Sequence, residues 1–223
     1  MSPLTSLRTE ESPSTLLKTE MSPSVSFRAE VRDNALALAS EQNGIYMVDI
    51  DSTLYPFYTA FSGTAERLYG KPQNYSKQTS WSLTAQGLTQ DEVAIALNEI
   101  HKRQNEYEPY LNAVKVVNAW YDEGKMIVIV SARGSEYTRI TCDWLHTKGF
   151  KYHGCLIGYR KDLLLMNPDM RLVIDDCPAI QYRAKEFGYI VATLKHPWID
   201  VESCDIIADN WNELYRRVRK VVN

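Results

Sequence analysis

The sequence has few cysteines, and their number and spacing argue against a scaffold held together by disulfides. Only Cys142, Cys155, Cys177 and Cys204 occur among 223 residues, and none of them forms a C-x-x-C pair. Small secreted domains held together by disulfides carry many more cysteines for their length. We therefore expect reduced thiols and a cytoplasmic protein, which would mean the host cytoplasm or the virion if the chain is viral.

Long apolar runs and an excess of one charge are also lacking. The most apolar run, residues 126–130, has the length of a strand and falls far short of the roughly 18–20 residues that span a bilayer. The formal net charge is only −3, with 44% hydrophobic and 24% charged residues. This balance gives no reason to expect a membrane or DNA as the main partner. The length suits one domain, or one domain with an insertion, that buries a proper core.

Glycine is absent before Gly44, and the first thirty residues are instead a repeat. Its three units are MSPLTSLRTE, ESPSTLLKTE and MSPSVSFRAE. A ten-residue unit with one large apolar side chain cannot bury a core by itself. Two interpretations remain open: a solvated low-complexity arm, or three copies of a docking peptide. Three weak contacts on one tether would gain affinity on a multi-copy surface such as a shell, capsid or scaffold. A secretory signal is not expected, because the segment has no apolar h-region.

After the arm, apolar strands alternate with helices. Hydrophobic patterning predicts strands over 45–50, 126–130, 155–157, 171–174 and 189–192. It predicts helices over 31–42, 111–123, 135–148 and 178–187, and a final helix with Trp211, Leu214, Tyr215, Val218 and Val222 on one stripe. Short, wholly apolar strands separated by helices indicate a parallel sheet that is covered on both faces. The predicted fold class is therefore α/β, with a Rossmann-like core.

Residues 54–108 interrupt this alternation with a helical stretch that is rich in aromatic residues. Its clearest helix begins at Thr89, where Glu92 three residues later completes a capping-box pattern. Apolar residues follow at helical spacing. This stretch is the natural place for a small helical insertion.

Polar residues collect where the predicted strands end. The first strand ends in Asp49 and Asp51, and the others end in Ser131-Ala132-Arg133 and Asp175-Asp176, with Lys161 in a loop between them. Ligands of parallel α/β sheets bind beyond the carboxyl ends of the strands. The chemistry of this protein is therefore expected at that edge.

Four carboxylates converging at one edge repel each other unless a cation holds them together. Oxygen ligands with room for water favour Mg²⁺. The spacing Asp49-x-Asp51 lets one carboxylate attack while the other transfers a proton. A phosphate monoester suits this arrangement, since a cation, a lysine and a hydroxyl would offset the repulsion between an anionic nucleophile and an anionic phosphoryl group.

Zinc is a second possibility for a metal, but the sequence does not favour it. Cys142, His146, His153 and Cys155 lie close together in the chain. The first two share one face of a predicted helix, and the other two enter the next strand. We interpret them as structural residues and expect no zinc.

The residues at the strand ends resemble the four motifs of haloacid-dehalogenase-like (HAD) phosphatases. The matching residues, in chain order, are Asp49-Ile-Asp51-Ser-Thr53-Leu54, Ser131, Lys161 and Asp175-Asp176. The resemblance covers residues 45 to about 200. Within the superfamily, the stretches 173–179 and 193–198 are most similar to those of 5′(3′)-deoxyribonucleotidases. The segment 131–133 also resembles the phosphatase domain of polynucleotide kinases. Ser52 departs from the glycine that many members carry, although a small residue still fits the turn.

The resemblance implies a role for each matched residue. Asp49 would attack phosphorus and become an aspartyl phosphate, and Asp51 would act as the general acid and base. Ser131 and Lys161 would hold the phosphoryl oxygens, with Arg160 an open alternative to Lys161.

The same resemblance implies a metal site. Mg²⁺ would be bound by Asp49, Asp175 and the backbone carbonyl of Asp51, and Asp176 would support it through metal-bound water or Lys161. The residues expected to contact the substrate are Thr53, Ala132, Arg133 and Trp81.

The predicted organisation has three parts. Residues 1–30 form the arm, 31–53 and 110–223 form the HAD-like core, and 54–109 form a helical cap inserted after the first motif. Caps exclude water and contact the leaving group. Most aromatic residues of this cap are expected in its core, whereas Trp81 could stack on a nucleobase.

These features predict a Mg²⁺-dependent phosphomonoester hydrolase whose substrate is a small phosphorylated metabolite, a 5′-(deoxy)nucleoside monophosphate above all. A first alternative is a 3′-phosphatase of nucleic-acid ends. A second is a HAD-fold accessory or structural protein that docks to a multi-copy assembly through its repeats.

Overall fold

A computed structural model describes residues 44–222 of the chain. The repeats and the helix predicted over 31–42 lie outside the described residues. Within the described part, no helix is both long enough and apolar enough to cross a bilayer.

The described chain forms one six-stranded parallel sheet with helices on both faces. The strands are β1 (Ile45–Val48), β2 (Met126–Ser131), β3 (Gly154–Ile157), β4 (Met170–Ile174), β5 (Ile190–Leu194) and β6 (Ile206–Ala208). The helices are α1 (Phe57–Tyr69), α2 (Gln90–Lys102), α3 (Ala113–Asp122), α4 (Thr138–Thr147), α5 (Lys161–Leu164), α6 (Pro178–Glu186) and α7 (Trp211–Val222). The predicted α/β, Rossmann-like fold class is confirmed.

The strand order is β3-β2-β1-β4-β5-β6, and every pairing is parallel. The chain builds outward from β1 to β3 on one side, then crosses to β4 and continues to β6. The order therefore reverses beside β1, and the carboxyl ends of β1 and β4 flank the switch point where such sheets bind ligands.

Side chains of each strand alternate between two hydrophobic clusters, one on each face of the sheet. On β1, Tyr46 and Val48 pack with α3, α4 and α7, whereas Ile45 and Met47 pack with α5 and α6. The strands read as continuous apolar runs because both of their faces are buried.

The stretch 54–108 is less helical than predicted. It contains α1 and α2, but the residues between these helices form only a short 3₁₀ turn, Tyr75–Lys77. Helix α1 ends at Gly70, whose φ of +64° is left-handed, and Pro72 prevents the helix from resuming. Hydrogen bonds from side-chain amides hold this segment instead. The Gln78 amide donates to the Ser80 and Ser82 carbonyls.

Three other local predictions need correction. Lys161, predicted in a loop, is the first residue of the short helix α5, which is anchored by the buried Leu164 and Leu165. The helix predicted over 135–148 begins as a 3₁₀ turn, Ser135–Tyr137, before α4. Strand β6 was missed because it has only three residues and lies at the edge of the sheet.

The capping box predicted at Thr89 is confirmed. The Thr89 hydroxyl accepts a hydrogen bond from the Glu92 backbone N–H, and the Glu92 carboxylate accepts one from the Thr89 N–H. Two of the N–H groups that would lack a partner at the start of α2 are thereby satisfied.

We expect Thr89→Ala to lower the free energy of unfolding by about 1 kcal/mol, because it leaves an N-terminal N–H of α2 without its cap. Urea denaturation of the two proteins measures the difference. Thr79→Ala, at an exposed position outside the helices, is the matched control and should change stability by less than about 0.5 kcal/mol. Equal losses in the two variants would contradict the capping role.

Candidate active site

The switch point of the sheet brings two aspartates side by side. Asp49 follows β1 and Asp175 follows β4, and the Asp49 N–H donates to the Ile174 carbonyl at 2.9 Å. Backbone pairing thus continues past the strands and fixes both residues at one edge. Both side chains are buried, with Asp175 completely enclosed and Asp49 4% exposed.

One lysine bridges this pair. Lys161 Nζ donates to Asp49 Oδ1 at 2.6 Å and to Asp175 Oδ2 at 2.7 Å. The neighbouring Arg160 is exposed and instead pairs with Asp162. Of the two basic residues that the sequence left open, the structure brings Lys161 and not Arg160 to the carboxylates.

Asp176 completes a group of three acids. Oxygens of Asp49, Asp175 and Asp176 all lie within 4.8 Å of one another, and in the described part of the chain this is the group that could hold a metal ion. Three carboxyl groups face one ammonium in a buried place, so ionising all three would leave an excess of negative charge. Hard oxygen donors in that setting fit a divalent ion such as Mg²⁺.

Burial and mutual repulsion shift the pKa values of these acids. Burial, with the nearby charges of Asp175 and Asp51, raises the pKa of Asp49 to about 7 despite the opposing effect of Lys161. Burial and the charges of Asp49 and Asp175 also raise the pKa of Asp176 well above its ordinary value. The pKa of Lys161 is raised, because the attraction of Asp175 and Asp49 outweighs the cost of burying the ammonium.

Asp51 lies apart from the three acids that could hold a metal ion, because its carboxylate is turned towards Arg133. Arg133 Nη2 and Nε donate to the two carboxylate oxygens at 2.6 and 2.9 Å, and the Tyr55 hydroxyl donates to Oδ1 at 2.8 Å. Burial by itself would raise the pKa of Asp51, but Arg133 outweighs it and lowers the pKa to about 2. The Asp51 side chain is therefore ionised in this state and is outside the set of carboxylates that could hold a metal.

His196, in the loop that follows β5, supports the turn after β1. Ser52 has a left-handed φ of +57°, a conformation that glycine adopts most easily. The Ser52 carbonyl accepts a hydrogen bond from His196 Nε2 at 2.9 Å, and His196 Nδ1 accepts one from the Tyr75 hydroxyl at 2.9 Å. His196 also stacks on Trp198 with ring centroids 4.6 Å apart. The stretch 193–198 noted in the sequence thus supports the turn that directly follows Asp51.

A cavity of about 650 Å³ opens onto these residues. Its inner wall is polar and includes Asp49, Asp51, Ser131, Lys161 and Asp176. The outer wall is largely apolar and aromatic, formed by Phe57, Tyr58, Trp81, Leu83, Val93, Leu97 and Trp198. The volume is in the range of small-molecule sites.

The residues predicted to contact a substrate divide in two groups. Ala132, Arg133 and Trp81 line the cavity, and Trp81 is 52% exposed at its wall. Thr53 does not line it; this residue is buried, and its carbonyl accepts a hydrogen bond from the Trp211 indole. The structure therefore does not bring Thr53 into the site.

Two site residues were missed by the sequence reasoning. Tyr55 contacts Asp51 because a tight turn follows β1, and His101 reaches the cavity from α2. A signal for His101 existed: it follows Val93 and Leu97 at intervals of four residues, which places all three on one helix face. Sequence periodicity alone treats that face as core.

Comparisons with known proteins identify the fold. No family model matches the sequence, and no curated protein matches it. Solved structures do match. A protein described as a predicted phosphoglycolate phosphatase from Haemophilus somnus is 15% identical, with a TM-score of 0.57 over 82% of this chain and 99% of that one.

Two further matches are similar. A haloacid dehalogenase-like family protein from Streptococcus pneumoniae is 13% identical, with a TM-score of 0.55 over 78% of this chain and 98% of that one. An archaeal beta-phosphoglucomutase from Pyrococcus is 17% identical, with a TM-score of 0.52 over 80% and 96%. The described chain has the fold of haloacid-dehalogenase-like hydrolases.

The crowded carboxylates predict an unusual pH dependence of stability. The pKa of Asp49 is about 7 in the folded protein against an ordinary 3.8, so between these values the folded state binds more protons than the unfolded state. Asp49 thus contributes stability that is lost as the pH rises through about 7, and Asp176 acts in the same direction. The buried His101 and His196, with pKa values lowered to about 4, instead contribute stability that is gained as the pH rises to about 6.5. The fall in stability should therefore appear above about pH 6.5. We expect urea unfolding in EDTA to show this fall, and Mg²⁺ at pH 8 to reverse it.

Asp49→Asn should flatten the pH profile, because the neutral amide removes the titrating group. Asp143→Asn, which removes a solvent-exposed acid, is the control and should keep the wild-type profile. An unchanged slope in Asp49→Asn would show that the carboxylates at the switch point do not control it.

Proposed function

We propose that this protein is a Mg²⁺-dependent phosphomonoester hydrolase that works through an aspartyl phosphate on Asp49. One observation carries the proposal: a buried carboxylate at the switch point, held by Lys161 beside two further acids, faces a cavity of substrate size. The fold shared with hydrolases and phosphatases of the haloacid-dehalogenase type is consistent with this chemistry.

The first step is attack by an Asp49 oxygen on phosphorus. A bond forms between that oxygen and phosphorus, the phosphoester bond breaks, and its electron pair goes to the leaving oxygen, which takes a proton from Asp51. Lys161 and Ser131 line the cavity beside Asp49 and can bind the phosphoryl oxygens. In the second step Asp51 removes a proton from water, which attacks phosphorus and releases Asp49.

Asp51 needs a proton in the first step, yet its pair with Arg133 keeps it ionised. Arg133 lines the cavity as well as contacting Asp51. We infer that the substrate's phosphoryl oxygens draw Arg133 away, so that the pKa of Asp51 rises when the leaving oxygen is in place. Arg133 would then bind the substrate and, by leaving Asp51, allow that residue to carry the proton for the leaving oxygen.

Asp49, Asp175 and Asp176 would hold the Mg²⁺, together with the Asp51 carbonyl. When bound, the ion neutralises charge on the phosphoryl group and on the carboxylates. With the ion as a second cation beside Asp49 and Asp175, Lys161 could exchange one of its two carboxylate contacts for a phosphoryl oxygen.

For the substrate we propose 5′-(deoxy)nucleoside monophosphates. The aromatic side chains of the outer wall offer flat surfaces for a base, with Trp81 our candidate for stacking. Arg133 and Lys161 are the cationic residues of the lining, and both lie at the inner end. A polynucleotide end carries further phosphates that require cations along its path, so this wall suits a single phosphate better than a nucleic-acid 3′ end.

Phosphate release from a panel of substrates tests the proposal. We expect turnover of deoxynucleoside 5′-monophosphates with Mg²⁺, loss of turnover in EDTA, and little turnover of 3′-phosphorylated oligonucleotides. Asp49→Asn should lower kcat/KM by about 10³-fold or more, because it removes the nucleophile, while Asp143→Asn serves as the control.

When the phosphoryl group of the substrate is radiolabelled, the label should also transfer to the wild-type chain and not to the Asp49→Asn variant. Normal turnover by Asp49→Asn would refute the mechanism. Preference for the oligonucleotide would favour the 3′-phosphatase instead, and a fully inactive wild type would favour the accessory role.

For residues 1–30, which lie outside the described residues, we propose docking to a multi-copy protein surface. The supporting observation is the threefold sequence repeat. Deleting residues 1–30 should abolish co-sedimentation with large assemblies in an extract of the source cells, because three linked contacts are lost together. The deletion should leave kcat/KM unchanged. A truncated chain that still co-sediments would contradict docking, and one that loses catalysis would place the arm within the fold.

A further inference from the structure

His101 presents an unpaired polar atom to the cavity. It is in the last turn of α2, it lines the cavity, and it is only 7% exposed. Its Nε2 is buried and has no hydrogen-bond partner among the described residues. The closest ionised group that faces it is Asp51, whose Oδ2 lies 3.9 Å from Nε2 and is thus beyond hydrogen-bond range.

A buried polar atom without a partner is costly and uncommon. Leaving such a group unpaired costs about 1–3 kcal/mol, and most buried polar atoms in folded proteins have a partner. The His101 ring is nonetheless held in place, since it packs edge-on against Tyr137 with centroids 5.0 Å apart. An orphan atom on a fixed ring at a cavity wall is the mark of a group that a ligand satisfies.

The position of His101 indicates which part of a ligand it meets. The phosphoryl end of the cavity is defined by Asp49 and Lys161, and aromatic side chains form much of the remaining lining. His101 is beside Asp51, the residue to which the proposed function assigns proton transfer to the leaving oxygen. Because Nε2 lies 3.9 Å from Asp51 Oδ2, it is close to where the leaving oxygen and the atoms bonded to it would lie.

We propose that His101 is a specificity-determining residue that hydrogen-bonds a hydroxyl or ring oxygen of the leaving group close to the phosphoester bond. The inference rests on the proposed function and deepens it. It assigns the enzyme to phosphomonoesters of sugar-like alcohols, in preference to esters whose leaving group is apolar near the reacting bond.

The chemistry of the ring suits this role. Burial lowers the pKa of His101 to about 4, although the charge of Asp51 opposes it. The ring is neutral at pH 7, so Nε2 can accept from a hydroxyl or, in the other tautomer, donate to an ether oxygen. A neutral partner also spares the site a further buried charge.

Two substrates with primary-alcohol leaving groups separate this role from general catalysis. One is the deoxynucleoside 5′-monophosphate that the wild type turns over best, and the other is benzyl phosphate, which keeps an aromatic ring but lacks sugar oxygens. His101→Asn moves the polar atom back from the Nε2 position, whereas His101→Gln keeps one near it. His101→Phe removes it in a ring of similar shape and serves if the Asn variant does not fold.

We expect His101→Asn and His101→Phe to lower kcat/KM for the nucleotide by about 10- to 100-fold, since a buried hydrogen bond is lost. The loss for benzyl phosphate should be at least about tenfold smaller, and His101→Gln should recover most of the discrimination. Lys102→Gln, an exposed position on the same helix turn, controls for disturbance of α2. Thermal unfolding of all variants reports on folding.

Equal losses for both substrates, or no loss for either, would overturn the role of His101 and leave the proposed function intact. A wild type that hydrolyses neither substrate would overturn the proposed function and this inference with it. The two failures are therefore distinguishable.

Discussion

Repulsion among the carboxylates of Asp49, Asp175 and Asp176 is the interaction to which the rest of the site responds. Three acids with oxygens within 4.8 Å of one another are buried at the switch point of the sheet. The Lys161 ammonium, bonded to two of them, offsets only part of their charge. What remains is a strong local demand for positive charge, which a divalent cation can meet. The sheet enforces this arrangement, because backbone pairing beyond β1 and β4 leaves the aspartates no room to separate.

The charge of Asp51 is balanced by an arginine, away from the three acids and Lys161. Asp51, two residues from Asp49, is removed from the acid cluster by a bidentate contact with Arg133 and a hydrogen bond from Tyr55. Two aspartates of one short motif thus have pKa values shifted in opposite directions, to about 7 and about 2. Separate environments of this kind let two carboxyl groups take separate parts in one reaction. Ser52, in its left-handed conformation, makes the turn that follows Asp51, and His196 holds that turn from the loop after β5.

The cavity combines a charged floor with an apolar wall. The floor comes from strand ends, and much of the wall comes from α1, α2 and the segment between them. Phe57 and Tyr58 of α1 belong to the same hydrophobic cluster as Trp120 and Trp211 beneath the sheet. The wall therefore rests on the main core, so the distance between the floor and groups such as His101 is set by ordinary core packing.

The periodic elements and the chemical character of the strand ends follow from the order of amino acids alone. Apolar runs predicted five of the six strands, and the Thr89 pattern predicted the start of α2, because these features depend on local periodicity and capping. The residues at the strand ends indicated acids at one edge, because parallel strands align their carboxyl ends.

Which of these residues meet depends on the three-dimensional packing of the chain. It selected Lys161 over Arg160, turned Asp51 towards Arg133, kept Thr53 out of the cavity and brought His101 into it. Each outcome depends on contacts between residues far apart in the chain, such as the 82 positions between Asp51 and Arg133. Spacing along one strand or helix carries no information about such contacts, since they follow from strand order and from the packing of α2 over the sheet edge.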